Sequence, residues 1–193
     1  MFSSSHVVDL RHKLAIYEQL LVKWSASLNL VAKSTLSNVW LRHFEDSLQL
    51  VPLLSRTDRI VDIGSGAGFP GMVLALCGFD VTLIESDQKK CVFLENVSRE
   101  TSSRVEVICS RIEKHVPSID DRFDVVCSRG LASLSELITL SKNLIREGHS
   151  RGLFLKGISV DNEISEIGIE QLGRVEKIKS LTSSNSSIIK YQF

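Results

Sequence analysis

The sequence predicts an α/β protein with a doubly wound, Rossmann-like sheet, mostly parallel with an antiparallel edge, and N-terminal helices. Three observations predict it. From Arg59 onward, short β-branched runs alternate with helical patterns. The first run, Ile60-Val61-Asp62-Ile63, passes straight into the glycine turn Gly64-Ser65-Gly66-Ala67-Gly68-Phe69-Pro70-Gly71. The last two runs are separated by polar residues alone, which suits a hairpin because antiparallel strands need no crossover helix.

In chain order, Val7, Leu10, Leu14, Tyr17, Leu20, Leu21 and Trp24 recur at helical spacing, an amphipathic helix of roughly five turns. Asn29-Leu30 and Lys33-Ser34-Thr35 read as a connection. Ser37 is placed to cap a second helix that carries Val39, Trp40, His43, Phe44, Ser47, Leu48 and Val51 and ends near Pro52. Residues 1–57 are therefore expected to form a helical extension packed on the core, and 58–193 the α/β domain. Strands are expected at Ile60–Ile63, Val81–Ile84, Val105–Cys109, Phe123–Cys127 and Gly152–Leu155. Met72 to Leu76, Lys89 to Val97 and Leu134 to Ile145 are the intervening helices. Val175–Leu181 and Ile188–Phe193 form the final hairpin around Thr182-Ser183-Ser184-Asn185-Ser186-Ser187.

The bulk properties set bounds. A length of 193 residues and 43% hydrophobic content suit one full α/β domain. No apolar run approaches a membrane span, and Met1 to Val8 lacks a basic region followed by an apolar core, so a cytoplasmic protein without membrane contact is expected. Cys77, Cys91, Cys109 and Cys127 form no C-x-x-C pair and have no histidine at ligand spacing, so no metal site is expected. Cys109 and Cys127 fall in apolar runs, where a reduced cysteine acts as a small hydrophobe. A net charge of zero means that any nucleic acid must be met by a local basic face.

In a doubly wound sheet the ligand lies outside the carboxyl ends of the strands. That rule selects Asp62 to Phe69, Glu85, Ser110 to Glu113, Ser128-Arg129 and Lys156. Gly66, Gly68 and Gly71 fit the dinucleotide spacing G-x-G-x-x-G, which alone is a weak signal. Asp62 tilts it. A carboxylate there repels a pyrophosphate but can accept from an ammonium, and S-adenosylmethionine has an ammonium and no phosphate. Capping a backbone N–H is the plainer role for Asp62. Glu85 suits a pair of ribose hydroxyls, or caps the helix that follows. Ile112 and Glu113 are placed for an adenine edge, although a glutamate at a helix start also answers the helix dipole. Phe69 either walls the ligand or tucks into the core. The planar fork of Arg129 suits a cofactor carboxylate or an RNA phosphate. Arg42 and Asp46 have the spacing of an ion pair one turn apart, beside His43.

These residues resemble a known family. Arg42-His43-Phe44-Glu45-Asp46-Ser47, the Val61-to-Gly71 loop, Glu85-Ser86, Lys89-Lys90, Ser110-Arg111-Ile112-Glu113, Ser128-Arg129 and Leu155-Lys156-Gly157 occur in the order found in the bacterial small-subunit ribosomal RNA guanine-N7 methyltransferases, or glucose-inhibited division protein B family. The resemblance runs from about Trp24 to Gly157. It implies a class I S-adenosylmethionine-dependent methyltransferase acting on a guanine in the decoding region of 16S rRNA, presented by a 30S particle or assembly intermediate, with the enzyme a monomer. It implies cofactor contacts at Gly64, Phe69, Ile112, Glu113 and Arg129, to which the reading of the residues adds Asp62, Gly66 and Glu85. It raises Arg42, His43, Lys89, Arg111 and Lys156 as RNA or active-site candidates. Two departures stand out: Gly130 replaces the usual alanine, and Ser184-Asn185-Ser186-Ser187 lacks the family's basic residue before the last strand. An NAD-linked oxidoreductase and a non-catalytic RNA-binding or assembly module are the competing functions.

Overall fold

The computed structural model describes residues 4–146 and 148–193. Seven strands form one sheet in the order β3-β2-β1-β4-β5-β7-β6. They are β1 (Arg59–Ile63), β2 (Asp80–Glu85), β3 (Glu106–Cys109), β4 (Val125–Arg129), β5 (Arg151–Lys156), β6 (Val175–Lys179) and β7 (Ser187–Gln192). β1 to β5 pair in parallel, and β7 runs antiparallel to both β5 and β6. The strand order reverses between β1 and β4, so a crevice opens above their carboxyl ends.

The helices are α1 (Ser4–Ser25), α2 (Asp46–Leu48), α3 (Gly71–Leu76), α4 (Gln88–Glu100), α5 (Leu134–Ser141), α6 (Val160–Glu166) and α7 (Ile169–Leu172). α4 starts at Asp87, whose side chain accepts from the amides of Lys89 and Lys90. A capping box between Ser133 and Glu136 starts α5. The apolar stripe of α1 reaches the sheet's own core: Leu14, Tyr17 and Leu21 pack in one cluster with Met72, Leu83, Phe93 and Leu94. A second cluster, with Val61, Ile63, Val126 and Phe154, fills the other face under α5.

The second helix differs from the sequence pattern. Residues Lys33–Asn38 form a 3-10 turn, Trp40–Glu45 a π-helical segment, and only Asp46–Leu48 is α-helical. Ser37 caps nothing, because it lies inside the 3-10 turn. The wider π turn leaves His43 and Phe44 buried on one side while Asp46 faces Arg129 rather than Arg42. β4 begins two residues later than expected; Phe123 instead makes an isolated bridge to Ile145. Cys127 is buried as expected, but Cys109 is exposed, because β3 is an edge strand.

Candidate active site

The glycine turn is held from three sides. The amides of Gly64 and Ser65 donate to the Ile84 carbonyl at 2.9 and 3.1 Å. Gly66 N–H donates to Glu85 Oε2 at 2.8 Å. From beneath, the Tyr17 hydroxyl of α1 donates to the Ala67 carbonyl. Gly64 has φ +64°, a conformation that favours glycine, and a Cβ there would push aside the exposed Leu131 side chain, whose Cδ1 it would meet at 2.6 Å.

Two cavities open over the strand ends. The first, about 640 Å³, is lined by every expected cofactor residue except Asp62: Gly64, Gly66, Phe69, Glu85, Ile112, Glu113 and Arg129, with Arg111 beside them. The second, about 350 Å³, is lined by Arg42, His43, Asp46, Lys156 and the terminal hairpin turn. Leu30, Val31, Arg129 and Gly130 line both, so the cavities meet there.

Arg129 is the wall between them. Its Nη1 donates to the Arg42 carbonyl at 3.0 Å and to Asp46 Oδ2 at 3.3 Å, and Nη2 donates to His43 Nδ1 at 2.8 Å. The guanidinium lies 4.8 Å from the centre of the Phe69 ring, on which His43 also stacks at 4.9 Å. Phe69 thus both lines the cavity and packs in the core against Tyr17. Because Arg129 donates to Nδ1, His43 is the Nε2–H tautomer and donates onward to Thr35 Oγ1 at 2.9 Å. Burial, then the charges of Arg129 and Arg42, push His43 down from 6.5 to about 4.

Three of the expected residues stand apart from the open cavity walls or are already paired there. Asp62 is fully buried beneath the turn and does not line the cavity. Its Oδ2 accepts from Gly71 N–H at 3.0 Å, at the start of α3. Its other oxygen, Oδ1, is buried with no hydrogen-bond partner among the described residues. Lys156 is not a free cation. Its Nζ pairs with Glu163 Oε2 of α6 at 2.6 Å and donates at 2.7 Å to the Ala132 carbonyl in the turn between β4 and α5. Lys89 lines neither cavity; it is exposed on the first turn of α4, and its neighbour Lys90 faces the first cavity instead.

Glu85 keeps its place. Oε2 accepts from Gly66, and Oε1 from Ser86 and Asp87 at 2.7 and 2.8 Å, so the carboxylate is fixed at the cavity wall. Sequence patterning carries no signal for Leu30 and Val31, which lie in a connection, or for Leu131, whose value comes only from its packing on Gly64. Among the described residues, no cluster of three or more metal-ligating side chains occurs. No helix among them is long and apolar enough to cross a membrane.

A glycine turn after β1, an acid ending β2, a crevice at the strand reversal and a reversed terminal hairpin define a class I methyltransferase. Solved structures share that fold. One is a predicted O-methyltransferase from Agrobacterium tumefaciens, with TM-score 0.60 and 22% identity over 77% of this chain and 79% of that one. Another is a mutant of MtNAS in complex with S-adenosylmethionine, with TM-score 0.59 and 14% identity over 97% of this chain and 77% of that one. The chain belongs to the GidB family, rRNA small subunit methyltransferase G, whose model matches residues 10–188. It is 42% identical to the ribosomal RNA small subunit methyltransferase G of Paramagnetospirillum magneticum, over 92% of this chain and 85% of that protein. To the protein of the same name from Gluconobacter oxydans it is 40% identical, over 94% and 93%.

Proposed function

We propose that the protein transfers a methyl group from S-adenosylmethionine to N7 of a guanine in the decoding region of 16S rRNA. The observation that carries this reading is the meeting of two cavities at Arg129 and Gly130, in a chain of this family. The first cavity fits the cofactor. A Cβ at Gly66 would meet nothing nearer than the Gly64 carbonyl at 3.8 Å, so the turn presents open backbone there. Gly64, Gly66 and Phe69 would hold the amino-acid end, Glu85 the ribose hydroxyls, and Ile112 with Glu113 the adenine. Three N–H groups of Arg129 are engaged by the protein, and the others are left for the cofactor carboxylate.

When bound, S-adenosylmethionine supplies an electrophilic methyl group on a sulfonium. The chain's own part is alignment and electrostatics. Guanine N7 offers a lone pair and has no proton to remove, so no general base is needed. His43 agrees with this: both ring nitrogens are engaged and the ring stays neutral, which suits a positioning group and not a base. Asp46 holds Arg129, and Phe69 supports it from below.

The expected substrate is a 30S particle or an assembly intermediate in the cytoplasm, met by a monomer with no membrane contact. Arg42 and Arg111, exposed at the cavity mouths, are the phosphate contacts. The test is transfer from labelled S-adenosylmethionine to 30S particles and to naked 16S rRNA, mapped by strand cleavage at N7-methylated guanine. Label at one guanine is the expected result. Transfer to neither substrate overturns the reading in favour of a non-catalytic RNA-binding module, and tight NAD binding without S-adenosylmethionine binding restores the oxidoreductase.

A further inference from the structure

Two of the four cysteines meet at the edge of the first cavity. Cys91 is buried near the start of α4, and Cys109, at the end of β3, is the one exposed thiol of the four. Side chains alternate along a strand, and that alternation turns Cys109 toward α4. Val105 and Val107 pack in one cluster with Phe93, Leu94 and Val97 of α4, whereas Ile108 packs on the opposite face of the sheet. Both cysteines converge on Glu85. Cys91 Sγ donates to the Glu85 carbonyl at 3.4 Å, and the Ser110 N–H donates to the same oxygen at 2.9 Å. Cys109 is the partner of Glu85 in the β2–β3 register. The Cys109 side chain is the hydrogen-bonding neighbour of the Cys91 thiol. Lys90, next to Cys91, and Ser110 to Glu113, next to Cys109, line the first cavity together with Glu85.

We propose that Cys109 is a peroxide-sensitive modification site and that Cys91 resolves it, closing a disulfide that reshapes the wall of the first cavity. This rests on the assignment of that cavity to S-adenosylmethionine and names a regulation of the same site. The Cys109 thiolate attacks one peroxide oxygen, the O–O bond breaks, and hydroxide leaves and takes up the thiol proton as water. Cys91 Sγ then attacks the sulfenic sulfur of Cys109. The S–S bond forms, the S–O bond breaks, and the oxygen leaves with the Cys91 proton as a second water. The two thiols give up two electrons and two protons, and one peroxide is reduced to two waters. Access sets the order: peroxide meets the exposed thiol first, while burial holds Cys91 protonated, pushed up to about 12. A disulfide holds its sulfurs about 2 Å apart, so the bond draws the start of α4 onto the end of β3. It also removes the hydrogen that Cys91 donates to the Glu85 carbonyl. Lys90 and the Ser110–Glu113 segment are displaced with the two sulfurs.

The experiment treats the full chain with hydrogen peroxide, maps the thiols by peptide mass, and measures S-adenosylhomocysteine binding by calorimetry before and after reduction with dithiothreitol. The expected product is a bridged Cys91–Cys109 peptide pair, lighter by two hydrogens, with Cys77 and Cys127 still free. The bridge is expected to weaken S-adenosylhomocysteine binding about tenfold, the loss of one well-placed hydrogen bond from the cavity wall, and reduction is expected to restore it. Cys109→Ser is expected to bind as the reduced wild type does and to keep that affinity through peroxide treatment. Cys91→Ser is expected to stop at the Cys109 sulfenic acid, which dimedone captures. A disulfide between other cysteines, Cys109 oxidised to the sulfinic acid without bridging, or a bridge that leaves affinity unchanged would overturn the proposal. The readout is cofactor binding, not turnover. A reversible loss of affinity with no methyl transfer to RNA would remove the proposed function and leave the thiol pair standing. Methyl transfer that proceeds equally in the reduced and bridged protein would do the reverse.

Discussion

Two buried residues at the site titrate in opposite senses, and each gives a measurable slope. The folded-state value of His43 lies near 4, below its ordinary 6.5. Between those values the unfolded chain binds a proton that the folded chain refuses. Its stabilising contribution is therefore whole above pH 6.5 and is lost as pH falls toward 4, by at most about 3 kcal/mol. A His43→Gln variant, which keeps an acceptor for Arg129, is expected to show a shallower acid loss in urea midpoints measured from pH 7 to 4.5. Asp62 runs the other way. Burial first of all raises it from 3.8 to about 7, against the Gly71 hydrogen bond. The folded chain holds its proton more firmly, so stability falls as pH rises from about 4 to 7. Asp62→Asn is expected to gain on the wild type between pH 5 and pH 8. Asp62→Ala is expected to lose about 1–3 kcal/mol at either pH by orphaning the Gly71 amide. A loss of cofactor affinity with unchanged stability would show instead that Asp62 acts on the ligand directly.

The elements differ in how far the sequence discloses them. The central parallel strands β1, β2 and β4 are legible because each is an apolar, β-branched run buried on both faces, and α1 is legible because its stripe is long and regular. The Trp40–Glu45 segment is not, since a π turn obeys neither the 3.6 period nor a capping rule, and its burial is imposed by Phe69 and Arg129 from distant parts of the chain. The pairing of Asp46 with Arg129 is invisible for the same reason. Arg42 stands at the helical spacing from Asp46, whereas Arg129 comes from the end of β4. Lys156 illustrates the gap between place and role: the strand-end rule locates it correctly, but α6, absent from the sequence pattern, brings Glu163 onto it. The Lys156 and Glu163 side chains are only 8% and 14% exposed, so removing one partner strands a buried charge. Lys156→Ala is expected to cost about 3 kcal/mol by urea unfolding. The paired replacement Lys156→Met with Glu163→Leu is expected to recover most of it. A Lys156→Ala protein with unchanged stability but weaker RNA binding would make this lysine a phosphate contact after all.

Across the whole molecule a net charge of zero conceals a sorting of charges. Lys156 and Arg129 at the strand ends, and Lys177 and Lys190 on the terminal hairpin, are each tied to a carboxylate. Arg42, Lys90 and Arg111 line the two cavities with no ion pair among the described residues. In the first cavity Lys90, Arg111 and Arg129 are matched in number by Glu85, Glu113 and Glu136, so the uncompensated positive charge at the strand ends is that of Arg42 in the second cavity, and a neutral protein can still present a polyanion with a local attractive face there. Phosphate contacts of this kind release counterions, so the salt dependence of RNA affinity counts them. Each contact removed lowers the slope of log K against log salt by about 0.7 on single strands and about 0.9 on duplex. Arg42→Ala and Arg111→Ala are each expected to lower it by about that amount for 16S rRNA, and by roughly twice that together, since they stand on different elements. Lys177→Ala removes a cation already neutralised by Asp161 and is expected to leave the slope unchanged. Equal losses from all three would mean that the RNA reads total charge, and the cavity mouths would lose their claim to be the binding face.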